Sequence, residues 1–302
     1  MEMKARGESL GNIAIITDSN ACIPDETAEE YGVGIVPVPV IFGDEVLLDG
    51  QDISTSEFYR RLKSADPLPT TSAPSVGQYQ QAFESARESG AEGILAVALS
   101  SKLSMAYNAA STAAQGMSDF PINVLDSRLA TAAQGFVAIA AAIASARGFN
   151  LDQVTAVAAR TVDQCGFVAA LDTIEHLYRG GRVPAIATLI GSSLKMKPIL
   201  GNRRDGTVSL ITAVRGRNTA AERILNIVER RAEGSDYAYI AVMHSDALER
   251  AEDMMEIVAA RFRIRNSYIV EFSPVMGAHA GPGVIGLAYQ IEEDTLNGGI
   301  YE

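Results

Sequence analysis

The 302-residue chain has no tryptophan, only two cysteines and only three histidines, and each scarcity narrows what it can do. Cys22 and Cys165 lie far apart, form no CxxC, and predict buried thiols of a reducing compartment rather than a disulfide. His176, His244 and His279 show neither HxxxH nor HExxH spacing, so no metal site is expected. No apolar run reaches the roughly 20 residues that cross a bilayer. The longest, residues 135–146, is rich in small side chains and predicts a buried helix. Residues 1–12 mix Glu, Lys and Arg and lack the apolar core of a signal peptide, which makes the cytoplasm the expected location. A formal net charge of −12, with no Lys/Arg cluster to offset it, speaks against nucleic acid or an anionic membrane surface as partner. The chain also lacks a Walker loop and a G-x-G-x-x-G after a strand, so no nucleotide cofactor and no unaided phosphate transfer is expected.

What is present predicts two domains, a number that the length also allows. Residues 13–16, 93–99 and 122–125 are short, almost wholly apolar runs, the pattern of buried parallel strands. Helical patterns at residues 75–90 and 103–116 alternate with them. The first half, residues 12–160, is therefore expected to be a three-layer α/β/α domain on a parallel sheet. The second, residues 161–302, is expected to be α+β with a mixed sheet. It opens with a strand at 166–170 and a helix ending at Tyr178-Arg179-Gly180-Gly181-Arg182. A helix at 185–193 follows, and Arg203-Arg204-Asp205-Gly206 gives a hairpin signal. Beyond it come a helix over 218–233, a strand over 237–243, a helix capped by Ser245 or Asp246 that runs to 262, and strands at 267–272 and 284–291 flanking a loop at 277–283. A monomer is the default expectation.

Three predicted strands end in polar residues: Thr17-Asp18-Ser19-Asn20, Ser100-Ser101-Lys102-Leu103-Ser104 and Asp126-Ser127-Arg128. Open parallel sheets bind ligands in the crevice beyond the carboxyl ends of their strands, so a polar site is expected there. Each residue also has a plainer reading. Ser100 and Ser101 suit a helix cap, and Thr71 before Pro74 suits turn chemistry. His279 could simply bond backbone, and Gly180-Gly181-Arg182 could be a helix C-cap with a dipole-complementing Arg.

Seven short signatures occur in order along the chain: Ile16-Thr17-Asp18-Ser19, Thr70-Thr71-Ser72-Ala73-Pro74-Ser75, Leu99-Ser100-Ser101-Lys102-Leu103-Ser104, Asp126-Ser127-Arg128, Gly180-Gly181-Arg182-Val183, Lys197-Pro198-Ile199-Leu200 and His279-Ala280-Gly281-Pro282-Gly283. Together they resemble the DegV family over roughly residues 13 to 291. The resemblance implies a non-enzymatic protein that buries a long-chain fatty acid between its two domains, and in many bacteria presents it to a partner fatty acid kinase (DAK-type) that makes the acyl phosphate. It implies Thr71, Ser101 or its neighbour Ser100, and His279 as ligands of the carboxylate, with Arg182 contacting the phosphoryl group or the kinase. Asp18, Ser19, Ser72, Ser104, Asp126, Ser127, Gly281 and Gly283 would support that set. One motif departs: the family commonly has Leu-Ser-Gly-Thr-Tyr where this chain has Leu103-Ser104-Met105-Ala106-Tyr107.

The chemistry suits the task. Burying an acyl tail yields roughly 0.8 kcal/mol per methylene, or on the order of 10 kcal/mol for a C16 chain before ordering costs. Small-residue helices such as 131–146 are expected to leave room for it. The carboxylate is costly to desolvate unless several donors reach it, and Ser/Thr hydroxyls and a protonated His279 would be those donors. The rival reading is a serine hydrolase acting on acyl esters, with Ser101, His279 and Asp18 or Asp126, although no G-x-S-x-G elbow is present.

Overall fold

The computed structural model describes residues 13–183, 196–233, 235 and 237–292. In the first half, β1 (Ile13–Asp18) is followed by α1 (Asp25–Tyr31), β2 (Val33–Val36), β3 (Pro39–Phe42), β4 (Glu45–Leu48), α2 (Thr55–Leu62) and β5 (Thr70–Thr71). Next come α3 (Val76–Glu88), β6 (Gly93–Ala98), α4 (Ala106–Gly116), β7 (Ile122–Asp126), α5 (Thr131–Ala146) and α6 (Leu151–Gln164). The second half holds β8 (Cys165–Ala170), α7 (Glu175–Gly180), β9 (Met196–Asn202), β10 (Val208–Arg215), α8 (Arg217–Arg231) and β11 (Tyr237–His244). It ends with α9 (Leu248–Arg261), β12 (Ile264–Glu271), α10 (Pro274–Ala280) and β13 (Ile285–Glu292).

The apolar runs become strands because burial on both faces selects uninterrupted hydrophobic segments. Every residue of β6 is buried, and β6 lies at the centre of a parallel sheet ordered β2-β1-β6-β7. A second, mixed sheet runs β10-β9-β8-β13-β11-β12, antiparallel except for the β11–β12 pair. This is the α/β arrangement with a parallel sheet followed by a mixed one that the sequence pattern predicts. A third, smaller sheet, β4-β3-β5, is antiparallel, and the apolar pattern did not signal it.

Helix α5 explains how the two large sheets share one core. Of its sixteen residues, fourteen are buried, because β1 lies against it from one side and β8 and β13 from the other. Its Ala-rich sequence follows from that position: only small side chains let a helix approach two sheets at once. The largest apolar cluster accordingly joins Leu95 and Val97 of the first sheet, Phe136 and Ala140 of α5, and Phe167 and Ala241 of the second. The boundary expected at residue 160 falls inside α6, which runs directly into β8.

Several local expectations need correction. Helix α4 begins at Ala106 rather than Leu103, because the Ser100 carbonyl accepts the N–H groups of both Leu103 and Ser104 and closes a turn first. Neither Ser245 nor Asp246 caps α9, whose N-cap is Ala247; the Ser245 hydroxyl donates to Gly281 O at 2.7 Å instead. The stretch expected as a loop at 277–283 is mostly helix, since α10 starts on Pro274 at the position where a missing N–H costs nothing. The helix expected at 185–193 lies outside the described residues. Both cysteines are buried free thiols, and burial pushes the Cys22 thiol up to about 12.

A cavity at the meeting of two sheets

The ends of β1, β6 and β7 are tied together by carboxylates. Asp18 is fully buried and accepts the Leu99 N–H at 3.0 Å, the Asn20 N–H at 3.2 Å and the Asn20 side-chain amide at 2.6 Å. Burial raises its pKa in spite of those bonds. Asp126 accepts the Ser101 N–H at 3.2 Å, the Ser101 hydroxyl at 2.5 Å and the Arg128 N–H at 2.9 Å. Ser127 closes the same turn, its hydroxyl taking the Leu129 N–H at 3.2 Å. Ser19 donates to Asp49 at 2.8 Å and accepts the Val38 N–H at 3.2 Å. These four residues organise the strand ends, and none of them lines the cavity that opens beside them.

That cavity contains about 890 Å³ of empty space, its open mouth included. Seventeen of its twenty-four lining residues are apolar, with a few polar side chains among them, the usual make-up of a small-molecule pocket. The apolar wall comes largely from the second sheet and its neighbours, including Phe167, Ala169, Leu200 and Val208. Helix α5, expected to make room for a tail, contributes only Thr131, with Ala130 just before it; the rest of α5 is consumed by packing.

The polar lining residues are Asn20, Thr71, Ser72, Ser104, Thr131, Arg182 and His279. Thr71 and His279 are 208 residues apart, and Thr71 Oγ1 lies 2.7 Å from His279 Nε2. Two elements create this meeting. Strand β5 pairs Thr71 with Val40, and α10 packs against both β3 and β5. Phe58, Tyr59 and Val275 form the apolar cluster beneath α10, while the Tyr59 hydroxyl donates to Phe272 O at 3.0 Å. His279 is held neutral at pH 7: burial first, then the charges of Arg182 and His176, lowers its pKa to about 4.

The structure parts Ser100 and Ser101 from this pair. Ser100 is fully buried and donates to Gly206 O at 2.7 Å, pinning the β9–β10 hairpin, while Ser101 is committed to Asp126. Both serines follow β6, but one hydroxyl is taken by the hairpin carbonyl and the other by the carboxylate at the end of β7. Ser104, expected only as a supporting residue, does line the cavity; its Oγ accepts the Ala106 N–H at 3.2 Å, which leaves its O–H to donate. Ser72 also lines the cavity and is otherwise exposed. Met105 points to solvent at 62% exposure and Ala106 is buried at the start of α4; neither residue of the departing motif lines the cavity.

Arg182 lies exposed at the cavity, and its guanidinium donates to Gly180 O at 2.6 Å. Gly281 and Gly283 are dictated by their surroundings. Both have positive φ, +73° and +83°, and an added Cβ would stand 2.6 Å from His176 Cδ2 at the first and 2.5 Å from Asp172 Oδ2 at the second. Ser101 and His279 bond different partners, so the Ser–His hydrogen bond of a hydrolase is not formed. Among the described residues no group of three His, Cys, Asp or Glu side chains could hold a metal ion, and no helix is long and apolar enough to cross a membrane.

A parallel sheet and a mixed sheet clasped around a shared helix, with an apolar cavity that carries a Thr–His pair on its wall, define a two-sheet α/β protein. Residues 12–292 match the family described as "Uncharacterised protein, DegV family". The chain belongs to the DegV family. A DegV domain-containing protein of Halalkalibacterium halodurans is 34% identical over 289 residues, covering 94% of this chain and all of that one. The crystal structure of DegV of Bacillus subtilis, described as a fatty acid binding protein, is 28% identical with a TM-score of 0.85, covering 93% of this chain and 100% of that one. A protein of Eubacterium ventriosum described as binding stearic acid is 26% identical with a TM-score of 0.84, over 94% of this chain and 100% of that one.

Proposed function

We propose that this chain binds a long-chain fatty acid in the cavity and holds its carboxylate at the Thr71–His279 pair, acting as a carrier rather than as an enzyme. The observation that carries the reading is an apolar cavity with a hydrogen-bonded Thr–His pair on its wall. Relatives that share the fold and are described as fatty acid binding support it.

The pair suits an anion. With the proton of neutral His279 on Nε2, that N–H donates to Thr71 Oγ1, and the Thr71 hydroxyl is free to donate to a carboxylate oxygen. A carboxylate arriving beside the ring favours the imidazolium and draws the His279 pKa upward, strengthening the same bond. Ser104 supplies a further hydroxyl. Ser100 and Ser101 belong to this reading only as the framework that sets the cavity's shape.

Presentation of the bound acid to a partner kinase is the finer half of the proposal. In this reading Arg182 would meet an incoming phosphoryl group or the partner's surface, which its exposure and its position on the cavity wall support. There a carboxylate oxygen would attack the terminal phosphorus of the kinase's ATP, with ADP as leaving group.

Extraction of the purified protein with organic solvent, followed by mass spectrometry, tests the carrier reading. A stoichiometric fatty acid is the expected result, whereas a lipid-free protein that also fails to take up added palmitate or oleate overturns it. For the finer half, the loaded protein is mixed with a candidate kinase, ATP and hydroxylamine. Acyl hydroxamate should form only with both proteins present and should be lost in Arg182→Ala.

A further inference from the structure

Thr131, the first residue of α5, has three properties that rarely coincide. Its φ is +60°, a left-handed conformation that a β-branched residue adopts only under constraint. It is 1% exposed, and its hydroxyl has no hydrogen-bond partner among the described residues. It also lines the cavity. A buried hydroxyl without a partner is costly, and the surroundings offer it no reason to be a hydroxyl unless something entering the cavity bonds it.

The helix it opens adds to the case. The first-turn N–H groups of a helix have no intrahelical acceptor, and here the N-cap is Ala130, which has no side-chain oxygen to offer. A sixteen-residue helix also brings the positive end of its dipole to that point. Because α5 follows a strand of the parallel sheet, its start lies at the carboxyl edge of that sheet, where the polar lining residues gather.

We propose that Thr131 and the start of α5 form the anion-receiving wall of the cavity, donating the Thr131 hydroxyl to the carboxylate of the acyl ligand. This rests on the fatty acid reading above and adds a donor that neither the serine turn nor the Thr–His pair supplies. Thr131 is held in its strained conformation so that its hydroxyl faces the ligand and no acceptor of the protein.

The test compares palmitate with palmityl alcohol, equal in tail but different in charge, on delipidated protein. Thr131→Val keeps the branched shape and removes the hydroxyl; it should weaken palmitate binding about tenfold or more while changing alcohol binding far less. Thr131→Ser should bind palmitate as the unsubstituted protein does. Should the Val variant fail to fold, Thr131→Gly, which relieves the positive φ, removes the same hydroxyl and should show the same acid-selective loss. Unchanged palmitate affinity, or an equal loss for acid and alcohol, overturns the proposal while leaving the carrier reading intact. An unsubstituted protein that binds no fatty acid overturns the carrier reading and this inference with it.

Discussion

The Asp18 carboxylate accepts the Leu99 N–H at 3.0 Å, a bond between the ends of two neighbouring parallel strands 81 residues apart. The same carboxyl group holds the Asn20 backbone and side chain, so one buried side chain ties these strand ends together beside the cavity. Asp18→Ala would strand three donors. It should cost about 3 kcal/mol or more in urea unfolding, while Asp18→Asn, which keeps one acceptor oxygen, should cost less. Equal stability of the alanine variant and the unsubstituted protein would contradict this role.

Burial lowers the His279 pKa to about 4. A group whose folded pKa lies below its unfolded one stabilises the fold above the unfolded value, and that contribution is lost as pH falls from about 6.5 toward 4. NMR of the ring protons should find His279 neutral at pH 6 in the delipidated protein and shifted toward the charged form once palmitate is bound. A ring that titrates identically with and without ligand would place the carboxylate elsewhere.

Asp49 behaves in the opposite sense. Burial raises its pKa to about 6, with the Asp18 charge adding to the effect and bonds from Ser19 and the Val275 backbone opposing it. Its protonated form is the one the fold favours, so stability declines as pH rises from about 4 to about 6, by roughly 3 kcal/mol. Asp49→Asn, uncharged throughout, should lack this decline. The check is a series of urea midpoints for both proteins across that range.

Thr71 and Ser100 should separate binding from stability. Thr71→Val removes the hydroxyl bonded to His279 and should weaken palmitate binding about tenfold, as expected for a hydrogen bond to a charged group. Ser100→Ala removes the bond to Gly206 O and should cost about 1 kcal/mol of stability with palmitate affinity nearly unchanged. Isothermal titration beside thermal melts would reveal a reversal of the two patterns.

Much of this architecture could be read from apolar runs alone, because a strand such as β6, buried on both faces, has no room for polar residues. Strands β3, β4 and β5 escaped because they are short, and their pairing depends on α2 and α10 packing over them rather than on local preference. Helix α10 was masked by Gly277 within it and by Gly281 and Gly283 just beyond; Gly277 is required because Phe58 and Tyr59 press against it and leave no space for a side chain. At the cavity, position along the chain marks the turn after β6 but not where each hydroxyl points. Ser100 bonds the Gly206 carbonyl and Ser101 bonds Asp126, whereas Ser104, three residues beyond Ser101, reaches the wall. Thr131 left no trace in composition or spacing, since its significance lies in a backbone angle and a missing partner.

Helix α5 belongs to neither sheet alone, and that ownership governs how the chain comes apart. With one face on β1 and another on β8 and β13, it cannot leave one half without exposing the other. Melting should therefore be a single cooperative event, and a fragment cut near residue 160 should yield two pieces that each lack half a core. The cavity touches this seam at Thr131, the first residue of α5, so a change that loosens α5 is felt at the cavity wall as well as in both sheets.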